Sequence, residues 1–159
     1  MTKSTKLKEN LNFISRKDIS EEQQAVENIL KTASMIRHEI SRICEKFEIS
    51  VSQYFVLKIL CLTHPESLTR GEIIDKMIEP SPDVTRLIDK LEKREFVERF
   101  RSQDDARRSM NRITQNGVEL LSKVETLIRE YFQHIGEVLC NQECVDLSEL
   151  CKRLSKGVL

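Results

Sequence analysis

Glycine and proline are scarce, at 4 and 3 of 159 residues, which argues against a β-sandwich and against a chain that stays disordered. Net charge is also missing: 26 lysines and arginines meet 26 aspartates and glutamates. That disfavours a protein that holds polyanions by bulk charge and leaves room for a local basic surface. No apolar run approaches the roughly 18 residues that a membrane span requires. The start, MTKSTKLKENLNFIS, carries charge but no apolar segment or small-residue cleavage site, so it does not read as a secretory leader. Five cysteines is an odd count without the pattern of a secreted disulfide scaffold. The expected compartment is the cytoplasm. What remains, 39% hydrophobic and 33% charged residues, suits a soluble, helix-rich domain with a real core.

The apolar pattern is helical over most of the chain. Leu7, Leu11 and Ile14 suggest a short helix or a docked arm. From Ser20 the pattern sharpens through Val26, Ile29, Leu30, Ala33, Ile36, Ile40, Ile43 and Phe47. This predicts one amphipathic helix of about 27 residues, roughly 40 Å long. Such a stripe outruns a small domain and needs another long helix to cover it. Ser50 and Gln53 have the spacing of a capping box that opens a largely apolar helix through Tyr54, Phe55, Val56, Leu57, Ile59 and Leu60. Thr69 and Glu72 repeat the device for a helix of about nine residues, which Glu79-Pro80-Ser81-Pro82 ends.

Ser81 is then the expected N-cap of a further helix, with Pro82 at its first position and Asp83 at its positive end. Val84, Leu87, Ile88 and Leu91 form the buried face; Asp83, Thr85, Arg86, Asp89, Lys90 and Lys93 form the other. Phe96–Arg101 and Met110–Thr114 read as two short strands around a polar tip. Asn116-Gly117 starts a second long helix with Val118, Leu121, Val124, Leu127, Ile128, Tyr131, Ile135 and Leu139 on its stripe. Residues 142–156 form a last helix through Leu147, Leu150 and Leu154.

The expected fold is therefore mainly α with a small β-hairpin wing: a winged helix-turn-helix domain flanked by long dimerisation helices. Its parts are residues 1–48 (arm and first long helix), 49–115 (winged region) and 116–159 (terminal helices), in one intertwined domain. In such a motif the second of the two short helices sits in the DNA major groove.

The stretch from Ser50 to Gly117 resembles the MarR (multiple antibiotic resistance regulator) family of bacterial transcription factors. The matching residues are Gln53, Val56-Leu57, Ser81, Thr85-Arg86, Leu91-Glu92, Val97-Glu98-Arg99, Asp105-Ala106-Arg107 and Ile113-Thr114-Gln115-Asn116-Gly117. Their order and spacing carry the likeness together, and the flanking helices extend it over nearly the whole chain. Glu95 stands where the family usually has glycine, and the turn EPSP is unusually proline-rich. The resemblance implies a homodimer on a pseudo-palindromic operator, acting as a repressor that a small ligand or an oxidant releases.

On that reading the DNA-binding residues of the recognition helix are Ser81, Asp83, Thr85, Arg86 and Lys90. The fork of Arg86 can grip guanine O6 and N7, and Lys90 and Lys93 suit phosphates. In the wing they are Asp105, Arg107 and Arg108, with Asp105 holding the Arg107 guanidinium against the minor groove or backbone. Arg99, Arg101 and Arg112 read as strand surface. A small aromatic or amphipathic effector would draw on Ile36, His38, Tyr54 and Leu57. Free cysteine packs as a small hydrophobe, so Cys44, Cys61, Cys140, Cys144 and Cys151 are expected as buried filler ahead of redox or metal roles. The histidines lack ligand spacing, so neither metal nor cofactor is expected. Nothing resembles a nucleophile with its base, a phosphate loop or a carboxylate pair, so an enzyme is not expected. The alternative to a DNA-binding regulator is a winged-helix protein-interaction module, which the neutral net charge also suits.

Overall fold

The computed structural model describes residues 19–78, 83–102, 105 and 107–158. The chain divides into two compact units, residues 1–39 and 40–159. The first unit is described from Ile19, whose successor Ser20 opens helix α1 (Glu21–Glu45) by accepting from the Gln23 N–H at 3.2 Å. The 25-residue length agrees with the apolar period. Along this first part of α1 the apolar side chains face outward: Leu30 is 64% exposed and Met35 71%.

The second unit carries the core. Its remaining elements are α2 (Val51–Thr63), β1 (Leu68–Thr69), α3 (Arg70–Lys76), α4 (Val84–Lys93), β2 (Val97–Arg101), β3 (Ser109–Ile113), α5 (Gln115–Val138) and α6 (Asn141–Val158). Both expected capping boxes form. The Ser50 hydroxyl accepts from Gln53 N–H at 3.2 Å while Gln53 Oε1 accepts from Ser50 N–H at 2.9 Å. Thr69 and Glu72 exchange the same pair of bonds, at 3.3 and 2.7 Å. These reciprocal bonds satisfy amides that a helix start would otherwise leave without partners. Val56, Leu57 and Leu60 of α2 meet Ile73, Ile88, Leu91, Val97, Val124 and Ile128 in one buried cluster. Burying each such side chain contributes about 1.5–3 kcal/mol relative to exposure.

The hairpin is part of a three-stranded antiparallel sheet, in the order β1-β3-β2. Val97 pairs with Ile113 and Arg101 with Ser109, and Leu68 pairs with Asn111 on the other side of β3. The expectation of two strands missed β1. Two residues are too few for a visible alternation, and Thr69 reads locally as a helix cap. Asn111, 2% exposed, donates from Nδ2 to the Leu68 carbonyl at 3.0 Å and so adds a side-chain bond to that pairing.

Two more expectations are corrected. Helix α4 begins at Val84 with Asp83 as its N-cap, whereas the cap was expected at Ser81, which with Pro82 lies outside the described residues. Asp83 caps as well as serine does, because Oδ1 accepts from Arg86 N–H at 3.2 Å. The cysteines are not uniformly filler: Cys44 is buried and Cys61 half-buried, but Cys140, Cys144 and Cys151 are exposed. Helix α6 is exposed along residues 141–157, so its thiols have no core to fill.

The turn from α4 into β2 needs a left-handed residue, and Glu95 supplies it at φ 58°. Glycine would adopt this angle without a Cβ penalty, whereas glutamate adopts it at a cost. Glu95 is held by its N–H on the Glu92 carbonyl at 2.9 Å and by the Thr114 hydroxyl on its own carbonyl at 2.6 Å.

Candidate nucleic-acid interface

Helix α4 separates cleanly into two faces. Val84, Ile88 and Leu91 are buried in the core, while Thr85, Arg86, Lys90 and Lys93 are exposed. Arg86 stands on the first turn with its side chain 82% exposed, and its Nε lies 2.9 Å from Asp83 Oδ2. Thr85 Oγ1 accepts from Arg70 Nη1 at 3.0 Å, which ties the first turn of α4 to the start of α3. Arg70 did not stand out in the sequence, where it read only as part of a helix start. No local spacing links it to a residue 15 positions on.

The wing's arginines have different duties. Arg99 pairs with Asp89 and, at 3.4 Å, with Glu92, so it clamps β2 to α4. Arg112 bonds Glu98 at 2.7 Å across the β2–β3 ladder and lies 5.2 Å over the Phe100 ring. Arg108 reaches Glu72 at 3.3 Å and ties the wing to α3. That contact joins the Thr69 main-chain bond, first in weight, in holding the Glu72 carboxyl below the usual carboxylate range. Arg94, which the sequence did not single out, donates to the carbonyls of Glu48 and Phe47 at 2.6 and 3.3 Å and lies over the Phe96 ring. Exposed ion pairs of this kind contribute about 0–1 kcal/mol each, so they orient the surface more than they stabilise it.

Asp105 acts on the main chain. Its Oδ1 accepts from the Arg107 N–H at 2.9 Å, and its carbonyl accepts from the Arg108 N–H at 2.9 Å. The expectation that it grips the Arg107 guanidinium is thus replaced by an Asx-type turn that sets the backbone. Arg107 itself is exposed, and its guanidinium has no ion-pair partner among the described residues.

The residues expected to line an effector pocket are divided. Ile36 is half-buried and His38 exposed on α1 in the first unit. In the second unit Leu57 is fully buried, and Tyr54, 2% exposed, donates from its hydroxyl to Glu125 Oε1 at 2.8 Å. Lys58 completes the group, 3.0 Å from the Tyr54 hydroxyl and 2.7 Å from Glu125. Burial, which outweighs the Lys58 hydrogen bond, pushes the Tyr54 hydroxyl up to about 12. For Lys58 and Glu125 burial opposes the charged form, but their bonds to each other and to Tyr54 win, raising the one and lowering the other.

Residues 38–124, which contain this surface and most of its supporting core, match the model of the transcriptional regulator SarA/Rot family. The chain belongs to the SarA/Rot family of transcriptional regulators. A helix-turn-helix transcriptional regulator of Bacillus subtilis (strain 168), YpoP, is 29% identical over 126 residues, covering 79% of this chain and 87% of its own. The solved structure of a MarR-like regulator from Bacillus cereus ATCC 10987 superposes with a TM-score of 0.76 at 17% identity, covering 87% of this chain and 98% of its own. MepR of Staphylococcus aureus, solved in complex with DNA, gives 0.74 at 19% identity over 84% and 96%. At those identities the structures establish the fold, and the resemblance to MarR regulators is borne out in it. Among the described residues of this regulator no helix is long and apolar enough to cross a membrane.

Proposed function

We propose that this SarA/Rot-family regulator binds a pseudo-palindromic operator as a homodimer in the cytoplasm, represses transcription there, and is released by a small aromatic or amphipathic effector. Residues 49–115 read the DNA, and 1–48 with 116–159 join the two copies. The observation that carries the reading is Arg86: a guanidinium on the first exposed turn of a helix whose other face is locked into the core. A rigid helix that presents an exposed guanidinium on its first turn suits bidentate recognition of guanine. Arg107 extends from the wing, where a narrow A·T-rich minor groove concentrates negative potential. Lys90 and the Thr85–Arg70 pair suit the phosphates that flank a major-groove reader. The dimer is supported by Val145, Leu147, Leu150 and Leu154, all exposed along α6.

The test compares Arg86→Ala with Arg107→Ala on the selected operator and on scrambled duplex, across a salt series. Arg86→Ala should cost about 1–3 kcal/mol per half-site and relax preference at one base pair. Arg107→Ala should weaken both duplexes more evenly and reduce the salt slope by about one per half-site. If neither variant loses affinity, the winged domain is a protein-interaction module instead.

A further inference from the structure

We propose that Asp83 is a specificity-determining residue that acts through Arg86, restraining it from phosphates and reserving it for a base edge. The proposal rests on the DNA-reading role given to Arg86 above. Two contacts of one carboxylate carry it. Oδ1 accepts from the Arg86 main-chain N–H at 3.2 Å, which anchors the carboxylate as the helix cap, and Oδ2 lies 2.9 Å from Arg86 Nε. The carboxylate is therefore fixed to the backbone of the residue whose side chain it holds. It is half-exposed, at 45%, so it also faces whatever Arg86 approaches.

The chemistry then discriminates between two targets. Non-specific attachment comes from cations neutralising phosphates and releasing counterions. A guanidinium already neutralised by Asp83 contributes little to it, and the carboxylate itself repels the phosphate. Guanine recognition uses two parallel N–H donors. Contact with Asp83 through Nε leaves the end-on pair, Nη1 and Nη2, for that fork. That pair could meet either target, but at a phosphate the Asp83 carboxylate faces a second negative charge, whereas at a base edge it faces a neutral group. The same carboxylate thus weakens the wrong complex more than the right one, which is how specificity by repulsion operates. Among the described residues, the other acidic groups on α4, and Glu72 of α3, are engaged elsewhere. Asp89 and Glu92 are engaged by Arg99 of β2, and Glu72 by Arg108.

The test is Asp83→Asn in the full-length chain. Asparagine caps a helix as well as aspartate, so the Arg86 N–H keeps its acceptor and the fold is preserved; circular dichroism and the thermal midpoint verify this. Affinity is measured for the selected operator and for scrambled duplex of the same length, in the wild-type and the Arg86→Ala backgrounds. The expected result is tighter binding to scrambled duplex with unchanged or weaker binding to the operator. The specificity ratio should fall by about two- to thirtyfold, the equivalent of one surface ion pair in each of two half-sites. In the Arg86→Ala background the same substitution should leave the ratio unchanged. Equal tightening on both duplexes would reduce Asp83 to a plain repulsive charge and overturn the proposal, as would no change on either. A ratio that falls equally without Arg86 would also overturn it, because Asp83 would not then act through that side chain. Failure of Arg86→Ala alone to alter operator binding would instead refute the reading on which the proposal rests.

Discussion

Gly117 and Phe96 touch backbone to backbone: a Cβ on Gly117 would lie 2.2 Å from the Phe96 carbonyl oxygen and 2.7 Å from Ile113 Cγ1. This contact seats the first turn of α5 against the entry to the wing. Thr114, the cap of α5, bonds both sides, donating to the Glu95 carbonyl and accepting from the Gly117 N–H at 3.1 Å. Replacing a helical glycine by alanine ordinarily gains up to about 1 kcal/mol. Here the obstructing atom is main chain and cannot swing aside. Gly117→Ala should therefore destabilise by about 1–3 kcal/mol, the usual cost of overpacking. Urea unfolding measures it, and a gain in stability would show that the contact yields.

The Tyr54, Lys58 and Glu125 group predicts a loss of stability in alkali. The Tyr54 hydroxyl is pushed from about 10 up to about 12 by burial, so the folded state holds a proton that the unfolded chain releases first. Its contribution is complete below the unfolded value and is lost as pH rises through the folded one. Denaturation midpoints should fall between pH 10 and 12, and Tyr54→Phe should flatten that limb. The chain has two tyrosines, so the tyrosinate absorbance of the variant subtracts cleanly from that of the wild type. An unchanged limb in the phenylalanine variant counts against the assignment.

The proposed dimer predicts that a charge on α6 separates copies without unfolding them. Leu150 is 56% exposed and lies outside the core cluster, whereas Leu127 packs against that cluster. Leu150→Glu should raise the dimer dissociation constant at least tenfold in sedimentation equilibrium, because association would bury an unpaired carboxylate. Leu127→Glu should instead unfold the chain. Equal dimer affinity in the Leu150 variant would remove α6 from the interface.

Cys44 should be chemically silent. It is fully buried, and burial, followed by the neighbouring charge of Glu45, pushes its thiol up to about 11. The thiolate is the nucleophile, so native protein should leave Cys44 unlabelled by a thiol reagent at neutral pH until denaturant is added. Peptide mapping after iodoacetamide treatment reads this directly. Labelling of Cys44 at the rate of exposed Cys151 would show that the helix end opens readily.

Much of this protein was legible in its residues because the signals are local. Ser50 with Gln53 and Thr69 with Glu72 sit three residues apart, so their bonds form within one turn, and nothing distant is needed to place those helix starts. The apolar period of α1, α4 and α5 likewise marks which side of each helix must leave water. Periodicity names a face but not what covers it. Folding covered α5 at Leu121, Val124 and Ile128 with the chain's own core and left Phe132 and Val138 exposed. Pairings between distant residues were out of reach for the same reason. Asn111 meets Leu68 across 43 positions to complete a strand too short to recognise, and Arg108 meets Glu72 across 36. The sequence supplied the arginines of the wing and of α4. Tertiary packing alone decided that Arg99, Arg108 and Arg112 are tied to carboxylates of neighbouring elements, while Arg107 meets no ion-pair partner among the described residues. An ion pair depends on which backbones the core brings within about 4 Å, and that distance is written in no single stretch of chain.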